Sequence, residues 1–469
     1  MNRRDALKTF GAGFGMLGVA QAASQQPHFA SQAKQVIYLF LNGGPSQVDS
    51  FDPKPLLTKY DGKGVPEEFA KNAKKGKDMR NARLMGSPWQ FKNYGQSGLP
   101  VSDLFPKLGA CIDDVCVIRS MHTDLPSHEQ AITQMNSGRL IAGHPSMGSW
   151  ITYGLGTENQ NLPGFIALCA GTPHVGPQLW SNGYLPSAYQ GTYVPTDESD
   201  PEKMIQNLTN RRIGRQDQRR QLDLVNALNK LDIERRGTDN NLEGRIAAME
   251  TAFSMQVEAL DAFDVRKETA AVRERYGVLD HVEASNSKKR SATRDGDFAR
   301  GCLVARRLVE RGVRVVQVYF GEDIPWDSHH DILVHRDLAR QADQPIAALL
   351  TDLKQSGLLK DTIVVIGGEF GRTPSVETSG RINVQNGRDH NSEGFTYLVA
   401  GGGFKGGTAY GATDEFGFAA VENRVHLHDL HATILNQLGL DHKRLTYRYS
   451  GRDFRLTDVA GNVVQGIIS

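Results

Sequence analysis

The chain has 469 residues, enough for about three average domains or for one large α/β domain that carries an insertion. Its 54 Lys and Arg residues balance 53 Asp and Glu residues, so the formal charge of +1 provides no global field for holding nucleic acid or an anionic membrane. Its four cysteines form no CxxC pair, which excludes zinc-ribbon and thioredoxin-type motifs. The composition therefore predicts a large globular protein that does not bind nucleic acid.

The first 22 residues have the pattern of an export signal. Arg3 and Arg4 precede a glycine-rich, weakly apolar run, and Ala20-Gln21-Ala22 has the small-x-small pattern that signal peptidase requires. The glycines disfavour a packed helix, and the run is too short to span a bilayer. We therefore predict twin-arginine export with cleavage after Ala22, which leaves a periplasmic or extracellular protein with no stable membrane span.

Five apolar runs predict buried strands, because each is continuous and ends in a loop rich in glycine or polar residues. Helical patterns at 344–353 and 427–438 lie among or after the later runs. This alternation predicts an α/β fold with a mostly parallel central sheet and helices on both faces. The five runs cover residues 35–41, 115–118, 313–320, 362–366 and 395–399.

The segment 198–290 differs in composition from the rest of the chain. Its stretches 211–236 and 242–276 are charged, carry Ala and Leu at helical spacing and contain few strand formers, which predicts a helical insertion. Residues 60–100 have the composition of a long irregular excursion. We divide the chain into a signal peptide (1–22), a first part of the α/β domain (23–197), the insertion (198–290) and a second part of the α/β domain (291–469).

Residue types that bind metal ions follow two of the predicted strands. Ligands of open α/β sheets gather where strands end. The sequence WDSHHD at 326–331 follows one apolar run, and GGEFGRTP at 367–374 follows the next, with GRDH at 387–390 a loop later. Asp327 and His329 occupy alternate positions, from which two side chains can reach one ion. Together with His390, this pattern predicts a divalent metal site.

The segment HTDLPSHEQ at 122–130 follows the second apolar run and leads into a predicted helix. A hydroxyl at the start of a helix can act as a nucleophile, because the helix dipole stabilises the anion formed there. It can equally cap the helix, and Gln130 three positions after Ser127 would complete a capping box. Both interpretations of Ser127 stay open, with Thr123 as the reserve nucleophile.

Other histidines are predicted to have supporting roles. His428 and His431 lie on a helix whose apolar face includes Leu430, Ile434 and Leu435, so we interpret them as structural. His144 and His335 are interpreted as surface groups or as groups that support the site.

The motifs named so far resemble the domain-of-unknown-function 1501 family, secreted bacterial proteins often labelled sulfatases and placed near the alkaline phosphatase superfamily. The resemblance extends along the chain after the signal. Its motifs are NGGPSQVDSFDPKP at 42–55, HTDLPSHEQA at 122–131, GSWITYGLG at 148–156, NQNLPGF at 159–165, WDSH at 326–329, GGEFGRTP at 367–374, GRDHN at 387–391 and HDLHATIL at 428–435.

The resemblance implies one metal site formed by Asp327, His329 and His390 and a second formed by Glu369 with the first loop. Three departures from the superfamily pattern affect this assignment. First, Asn42 stands where the superfamily has Asp, which leaves Asp49 or Asp52 as replacements. Second, the two-residue step from Asp327 to His329 replaces the usual step of four. Third, His128 rather than Ser127 falls near the position of the nucleophile, and the sulfatase Cys-x-Pro-x-Arg motif does not occur, which disfavours a formylglycine sulfatase.

The leading hypothesis from the sequence is a secreted metal-dependent hydrolase of phosphate or sulfate esters. One or two divalent ions (zinc, manganese, calcium or magnesium) would stabilise charge on the reacting oxygens. Arg372 and Arg388 would clamp the anionic oxygens of a small-molecule or polysaccharide ester. Ser127 and His128 are the predicted catalytic side chains beside Arg372. The alternative is a non-catalytic metal- or ligand-binding protein that keeps the fold, which His128 at the nucleophile position favours.

Overall fold

The computed structural model describes residues 26–70, 82–159, 161–205, 212–237, 240–278, 296–377 and 386–469. The predicted signal peptide and its cleavage site lie outside the described residues, as do parts of the predicted insertion. Among the residues that are described, no helix is both long enough and apolar enough to cross a membrane.

The described chain contains short strands in several small sheets and longer ones in a central sheet. In chain order the strands are β1 (Gln35–Phe40), β2 (Phe91–Tyr94), β3 (Leu99–Ser102), β4 (Val115–His122), β5 (Phe165–Cys169), β6 (Thr192–Pro195), β7 (Val315–Tyr319), β8 (Thr362–Gly367), β9 (Gly371–Val376), β10 (Arg388–Asn391), β11 (Phe395–Ala400), β12 (Thr408–Tyr410), β13 (Ala412–Thr413), β14 (Ala420–Glu422), β15 (Val425–His426), β16 (Tyr447–Tyr449) and β17 (Arg452–Phe454). The five predicted buried strands correspond to β1, β4, β7, β8 and β11.

Helices connect the strands of the central sheet and form most of the segment between β6 and β7. They are α1 (Pro55–Lys59), α2 (Glu67–Ala70), α3 (Pro106–Gly109), α4 (His128–Ser137), α5 (Met147–Leu155), α6 (Pro201–Met204), α7 (Arg215–Arg236), α8 (Asn240–Phe263), α9 (Ala270–Tyr276), α10 (Asp297–Glu310), α11 (His335–Gln355) and α12 (Leu427–Gln437). The predicted helical patterns at 344–353 and 427–438 lie in α11 and α12.

The central sheet of the described chain has nine strands. Its order is β12-β4-β11-β8-β1-β7-β5-β6, and β15 also pairs with β4. Only β11 runs antiparallel to its neighbours β4 and β8 in this sheet, which confirms the predicted α/β fold with a mostly parallel sheet. The carboxyl ends of β8, β1, β7 and β5 therefore meet at one edge of the sheet, where ligands of such folds bind.

Helices cover both faces of this sheet, and β1 shows why its sequence is apolar throughout. Ile37 and Leu39 face one hydrophobic core, to which α10 and α11 contribute. Tyr38 and Phe40 face a second core, to which α4, α5 and α12 contribute. A strand that is buried on both faces needs apolar side chains at every position instead of an alternating pattern. Because both of its faces are packed, the strand is held in place, and so is its end, from which a polar loop extends.

Candidate metal centre

Loops at the carboxyl edge of the sheet bring the predicted metal-binding side chains together. Asp327 and His329 lie in the segment that follows β7, and Glu369 lies directly after β8. His128 is the first residue of α4, in the connection that leaves β4. His390 lies on β10, which pairs with β9 next to this edge. Residues that are more than 200 positions apart in the chain therefore share one cluster.

Three imidazole nitrogens converge on one carboxylate oxygen. Oδ1 of Asp327 lies 3.3 Å from Nε2 of His128, 3.0 Å from Nε2 of His329 and 3.2 Å from Nε2 of His390. One donor atom from each of the four residues lies within 4.8 Å of the others. Tetrahedral zinc with ligand bonds of about 2.0–2.1 Å separates neighbouring donor atoms by roughly 3.3 Å. The four side chains, which we call the His₃Asp cluster, therefore have the spacing of a metal-binding set.

Carboxylates orient two of the three rings from the opposite edge. Nδ1 of His128 lies 2.5 Å from Oε1 of Glu369, and Nδ1 of His329 lies 2.5 Å from Oε2 of Glu377. Both oxygens of Glu369 also accept a hydrogen bond from the backbone N–H of Gly43, at 3.0 and 3.1 Å. A carboxylate on Nδ1 fixes the tautomer in which Nε2 is free to bind a metal ion. Glu369 therefore orients His128 and is not among the four converging donors, in contrast to its predicted role as a ligand.

The imidazole of His390 is oriented in the same way as the other two. Nδ1 of His390 lies 2.7 Å from the backbone oxygen of Pro126. All three rings thus use Nδ1 for a fixed partner and direct Nε2 towards Asp327. Nε2 of His128 is buried and makes no hydrogen bond of acceptable geometry with the described residues. Leaving a buried polar atom unsatisfied is costly, and a metal ion would satisfy this one.

The electrostatics of the cluster keep Asp327 ionised. Burial alone would raise the pKa of Asp327, but contacts with His128, His329 and His390 outweigh it and hold this pKa well below the usual range. Burial likewise opposes charge on His128 and His329, but their carboxylate neighbours prevail and raise the pKa of each ring. Burial lowers the pKa of His390 to about 4. An ionised carboxylate among imidazoles is a favourable environment for a divalent cation.

Among the described residues, negative groups outnumber positive ones around the three rings. Besides Asp327 and the two orienting glutamates, Asp389 places Oδ1 4.0 Å from Nδ1 of His329. With Glu377 and Asp389, His329 forms a second group of donors within 4.8 Å of one another. Arg372 provides a guanidinium, with Nη2 2.8 Å from Oδ1 of Asp327. With neutral imidazoles, a divalent cation would balance the excess of carboxylates.

Asp49 and Arg388 do not belong to this cluster. Both side chains are fully buried, and the guanidinium of Arg388 contacts both oxygens of Asp49, at 2.7 and 3.0 Å. The predicted role of Asp49 as a metal ligand is therefore corrected to that of a partner in a buried ion pair. The predicted contact of Arg388 with a substrate is corrected in the same way. Asp52, the other replacement considered for Asn42, pairs with Lys54 at 3.1 Å.

Arg372 lies next to Asp327, and its guanidinium is occupied by contacts within the protein. Its side chain is fully buried, and Nε donates to the backbone oxygen of Gly44 at 2.9 Å. Nη2 donates to the backbone oxygens of Gly43 and Trp326. The prediction that Arg372 clamps the substrate is thus not supported by its position. Instead, Arg372 holds the loop after β1 against Asp327.

Ser127 precedes α4 and is exposed to solvent. It occupies the N-cap position with an extended backbone, but its side chain makes no capping hydrogen bond. The capping-box interpretation is therefore wrong, and the hydroxyl lies directly beside His128 in the chain. Thr123 is buried, and its hydroxyl donates to Oε1 of Gln134 at 2.9 Å. Thr123 is thus bound within the fold, whereas Ser127 is accessible.

The histidines that the sequence predicts to have supporting roles lie outside the His₃Asp cluster. Nε2 of His431 lies 2.9 Å from the backbone oxygen of Met135, and the ring is buried. His335 is also buried and contacts the backbone oxygen of Trp326 at 3.2 Å, so it supports the loop that carries Asp327 and is not a surface group. His144 is half-buried against Tyr184.

Two features of the cluster differ from what the sequence predicts. The sequence predicts a catalytic role for His128, whereas in the structure its Nε2 converges with the other donor atoms. A histidine that opens a helix at the carboxyl edge of the sheet was the available signal for a ligand. The sequence gives no indication that Glu377 belongs near the site, because this residue follows β9 in a segment without a metal-binding pattern. Tertiary contacts bring Glu377 next to His329, because the backbone N–H of Glu377 donates to Gly387 and that of Arg388 donates to Ser328.

The fold and the cluster define an α/β protein with a candidate metal centre at the carboxyl edge of a mostly parallel sheet. The chain belongs to the family described as "Protein of unknown function (DUF1501)", whose model matches residues 33–468. No curated protein sequence matches the chain.

Several solved structures of sulfatases and related hydrolases are similar to this fold. The PsFucS1 sulfatase from Pseudoalteromonas sp. is 11% identical with a TM-score of 0.34, and the match covers 91% of this chain and 70% of that one. The phosphonate monoester hydrolase SpPMH from Silicibacter pomeroyi is 13% identical with a TM-score of 0.32, covering 71% of this chain and 68% of that one. Ps i-CgsB, solved in complex with k-i-k-neocarrahexaose, is 9% identical with a TM-score of 0.37, covering 87% and 72%.

Proposed function

We propose that this chain is a metal-dependent hydrolase of phosphate or sulfate esters, with a small-molecule or polysaccharide ester as its substrate. The observation that carries the proposal is the convergence of three Nε2 atoms on Oδ1 of Asp327, with each Nδ1 already bound to a fixed partner. Neither a buried ion pair nor apolar packing requires three imidazoles that all direct Nε2 to the same point. The position at the carboxyl edge of the sheet adds support.

His128, Asp327, His329 and His390 would hold one divalent ion in this proposal. Such an ion would polarise the ester and stabilise negative charge that develops on its oxygens. Three imidazoles and one carboxylate fit zinc better than calcium or magnesium, which prefer oxygen ligands. Glu369 and Glu377 would keep two of the imidazoles in the orientation required for binding.

Ser127 is the nucleophile in the proposed reaction. Its hydroxyl is exposed, and α4 directs the positive end of its dipole towards this position. The serine oxygen would attack the phosphorus or sulfur of the ester, and the bond to the alcohol oxygen would break. The serine proton would pass to the departing alcohol, and water would then release the acid from the serine and restore its hydroxyl.

The proposal is tested by assaying the natively exported protein on esters of different classes. The substrates are 4-nitrophenyl phosphate, bis(4-nitrophenyl) phosphate and 4-nitrophenyl sulfate, with bound metal determined by elemental analysis. We expect about one ion per chain, hydrolysis of at least one ester, loss of activity with a chelator and recovery with zinc or manganese. If the metal-replete protein cleaves none of these esters, the hydrolase proposal is wrong.

A second candidate function is a metal-binding protein without catalytic activity. Its supporting observation is that His128, which the resemblance places near the nucleophile position, belongs to the His₃Asp cluster. In that case Ser127 would have no chemical role. Stoichiometric metal binding without ester hydrolysis would favour this second function over the first.

We also propose that the protein reaches the periplasm or the extracellular space through the twin-arginine route. The support comes from Arg3 and Arg4 and from the Ala20-Gln21-Ala22 pattern. This route carries folded proteins, so a metal ion could be bound before export. Replacing both arginines with lysine should leave the precursor in the cytoplasm, as detected by fractionation and mass spectrometry of the N-terminus. Normal export of the double variant would exclude this route.

A further inference from the structure

A fourth histidine, His174, lies beside the cluster and, like the other three, has a fixed partner at Nδ1. Nδ1 of His174 lies 2.6 Å from Oδ1 of Asp323, as the Nδ1 atoms of His128 and His329 lie next to glutamates. The ring centroids of His174 and His128 are 6.4 Å apart. The side chain of His174 is 37% exposed, and its Nε2 has no hydrogen-bond partner within the described part of the chain.

Backbone contacts of two loops hold His174 and Asp323 next to each other. His174 lies in the loop after β5, and the hydroxyl of Tyr193 donates to the backbone oxygen of Gly171 in this loop at 2.6 Å. The backbone N–H of Asp323 donates to the oxygen of Thr172 at 3.0 Å, next to a β-bridge that joins the two loops. A contact between two exposed side chains contributes little stability, so stability alone does not account for this anchoring.

The backbone of Asp323 adds a second observation. Its φ of 57° lies in the left-handed region, which a residue other than glycine adopts at a cost in free energy. The side-chain amide of Asn42 donates to the backbone oxygen of Asp323 at 3.1 Å and holds this conformation from the loop after β1. Three loops at the carboxyl edge of the sheet therefore hold one imidazole beside the His₃Asp cluster.

We propose that His174 contacts the substrate and hydrogen-bonds a hydroxyl group on the alcohol portion of the ester. The inference rests on the proposed function, because it places an ester at the His₃Asp cluster. In the neutral tautomer in which Nδ1–H donates to Asp323, Nε2 of His174 carries a lone pair and accepts hydrogen bonds. An ionised phosphate or sulfate ester has only acceptor oxygens on its acid portion. The matching donor must therefore lie on the alcohol portion, as in a sugar or another polyol.

The experiment compares esters with and without such a hydroxyl. Glucose 6-phosphate and glucose 6-sulfate carry hydroxyl groups on the alcohol portion, whereas the corresponding 4-nitrophenyl esters carry none. The variants are His174→Ala, His174→Gln, whose amide oxygen restores an acceptor, and His144→Ala as a control outside the cluster. Elemental analysis of each variant shows whether the metal is retained.

We expect His174→Ala to raise KM for the glucose esters at least tenfold while KM for the 4-nitrophenyl esters changes less than twofold. His174→Gln should recover part of the loss, and all variants should keep their metal. Equal losses on both kinds of ester would overturn the assignment to the alcohol portion. Loss of metal from His174→Ala would overturn it as well, since His174 would then act as a ligand.

Calorimetric binding separates the failure of this inference from the failure of the proposed function. If the wild-type protein hydrolyses no ester but binds a glucose ester at least tenfold more tightly than His174→Ala does, the inference stands and the hydrolase proposal falls. If hydrolysis occurs but His174→Ala binds and cleaves glucose esters like the wild type, the hydrolase proposal stands and the inference falls. Absence of both binding and hydrolysis in the wild type overturns both.

Discussion

Glu377 lies 2.5 Å from Nδ1 of His329, across the imidazole ring from the nitrogen that faces Asp327. The side chain of Glu377 is fully buried, so this contact is shielded from water. Glu369 has the same relationship to His128. These carboxylates act on the imidazoles from outside the set of converging donors. By accepting a hydrogen bond from Nδ1–H, each would make its ring a better metal ligand.

Replacing Glu377 with Gln should weaken metal binding without abolishing it. The amide keeps the shape of the side chain but loses the charge that favours the required tautomer of His329. We expect the affinity for zinc to fall about 10–100-fold, while the stoichiometry at saturation stays at one ion per chain. Competition with a chromophoric chelator measures this affinity. An unchanged affinity would show that Glu377 does not act through His329.

Variants of the donors themselves should lose the metal. Asp327→Asn, His329→Ala and His390→Ala each remove one member of the His₃Asp cluster. We expect the metal content of the purified variants to fall well below one ion per chain, and the zinc-dependent rise in melting temperature to disappear. His144→Ala serves as the matched histidine control and should retain its metal. Wild-type metal content in all three donor variants would refute the site.

Ser127 and Thr123 should respond differently to removal of the hydroxyl. Ser127→Ala should lower kcat by about 10³-fold or more with metal content intact, because an exposed nucleophile would be lost. Thr123→Val should instead cost about 1–2 kcal/mol of stability and leave kcat nearly unchanged, because it removes a buried hydrogen bond. Steady-state kinetics and chemical denaturation separate the two effects. Full activity of Ser127→Ala would exclude a serine nucleophile.

The ion pair between Asp49 and Arg388 should stabilise the fold without contributing to metal binding. Asp49→Asn leaves a fully buried guanidinium without its charged partner, so we expect a loss of about 3–5 kcal/mol in the free energy of unfolding. The folded fraction should still bind one ion per chain. In a double-mutant cycle with Arg388→Gln, the combined loss should be smaller than the sum of the single losses. A metal-free but fully stable Asp49→Asn variant would contradict this assignment.

A row of histidines beside α12 should make the protein sensitive to acid. Rings of His122 and His426 lie 5.0 Å apart, those of His426 and His428 4.9 Å, and those of His428 and His431 6.3 Å. Burial lowers the pKa of His122 and His428 to about 4 and that of His431 to about 3. The unfolded chain therefore takes up protons at higher pH than the folded one.

This difference predicts a loss of stability as the pH falls below about 6.5, the pKa of an unfolded histidine, towards about 4. For His428 the loss between pH 7 and pH 5 should be about 2 kcal/mol. His428→Gln should reduce the pH dependence of the unfolding free energy by about that amount, as measured by urea denaturation at both pH values. The exposed His330→Gln variant is the control. Parallel pH dependence in the wild type and His428→Gln would contradict the prediction.

The predicted α/β class and its main elements rest on local patterns that the structure preserves. Continuous apolar runs predicted β1, β7 and β8, because a strand buried on both faces leaves that pattern whatever its partners are. The same apolar runs predict that Asp327 and His329 lie in a loop at the end of a strand. Neither the pairing order of the strands nor the antiparallel direction of β11 was accessible from the sequence, because both depend on contacts between distant segments.

What the sequence by itself determined is that Asp327, His329 and Glu369 follow strands at the carboxyl edge of the sheet, since strand ends and loop composition are local properties. Tertiary structure alone decided which of them meet. Asp49 has the side chain of a metal ligand, yet the fold buries it against Arg388. Arg372 has the side chain of an anion-binding group, yet the fold buries it against the loop after β1. Glu377 carries no sequence signal, yet it contacts His329. Packing in three dimensions decides which side chains are buried and which buried charges form pairs. A linear sequence pattern contains neither kind of information.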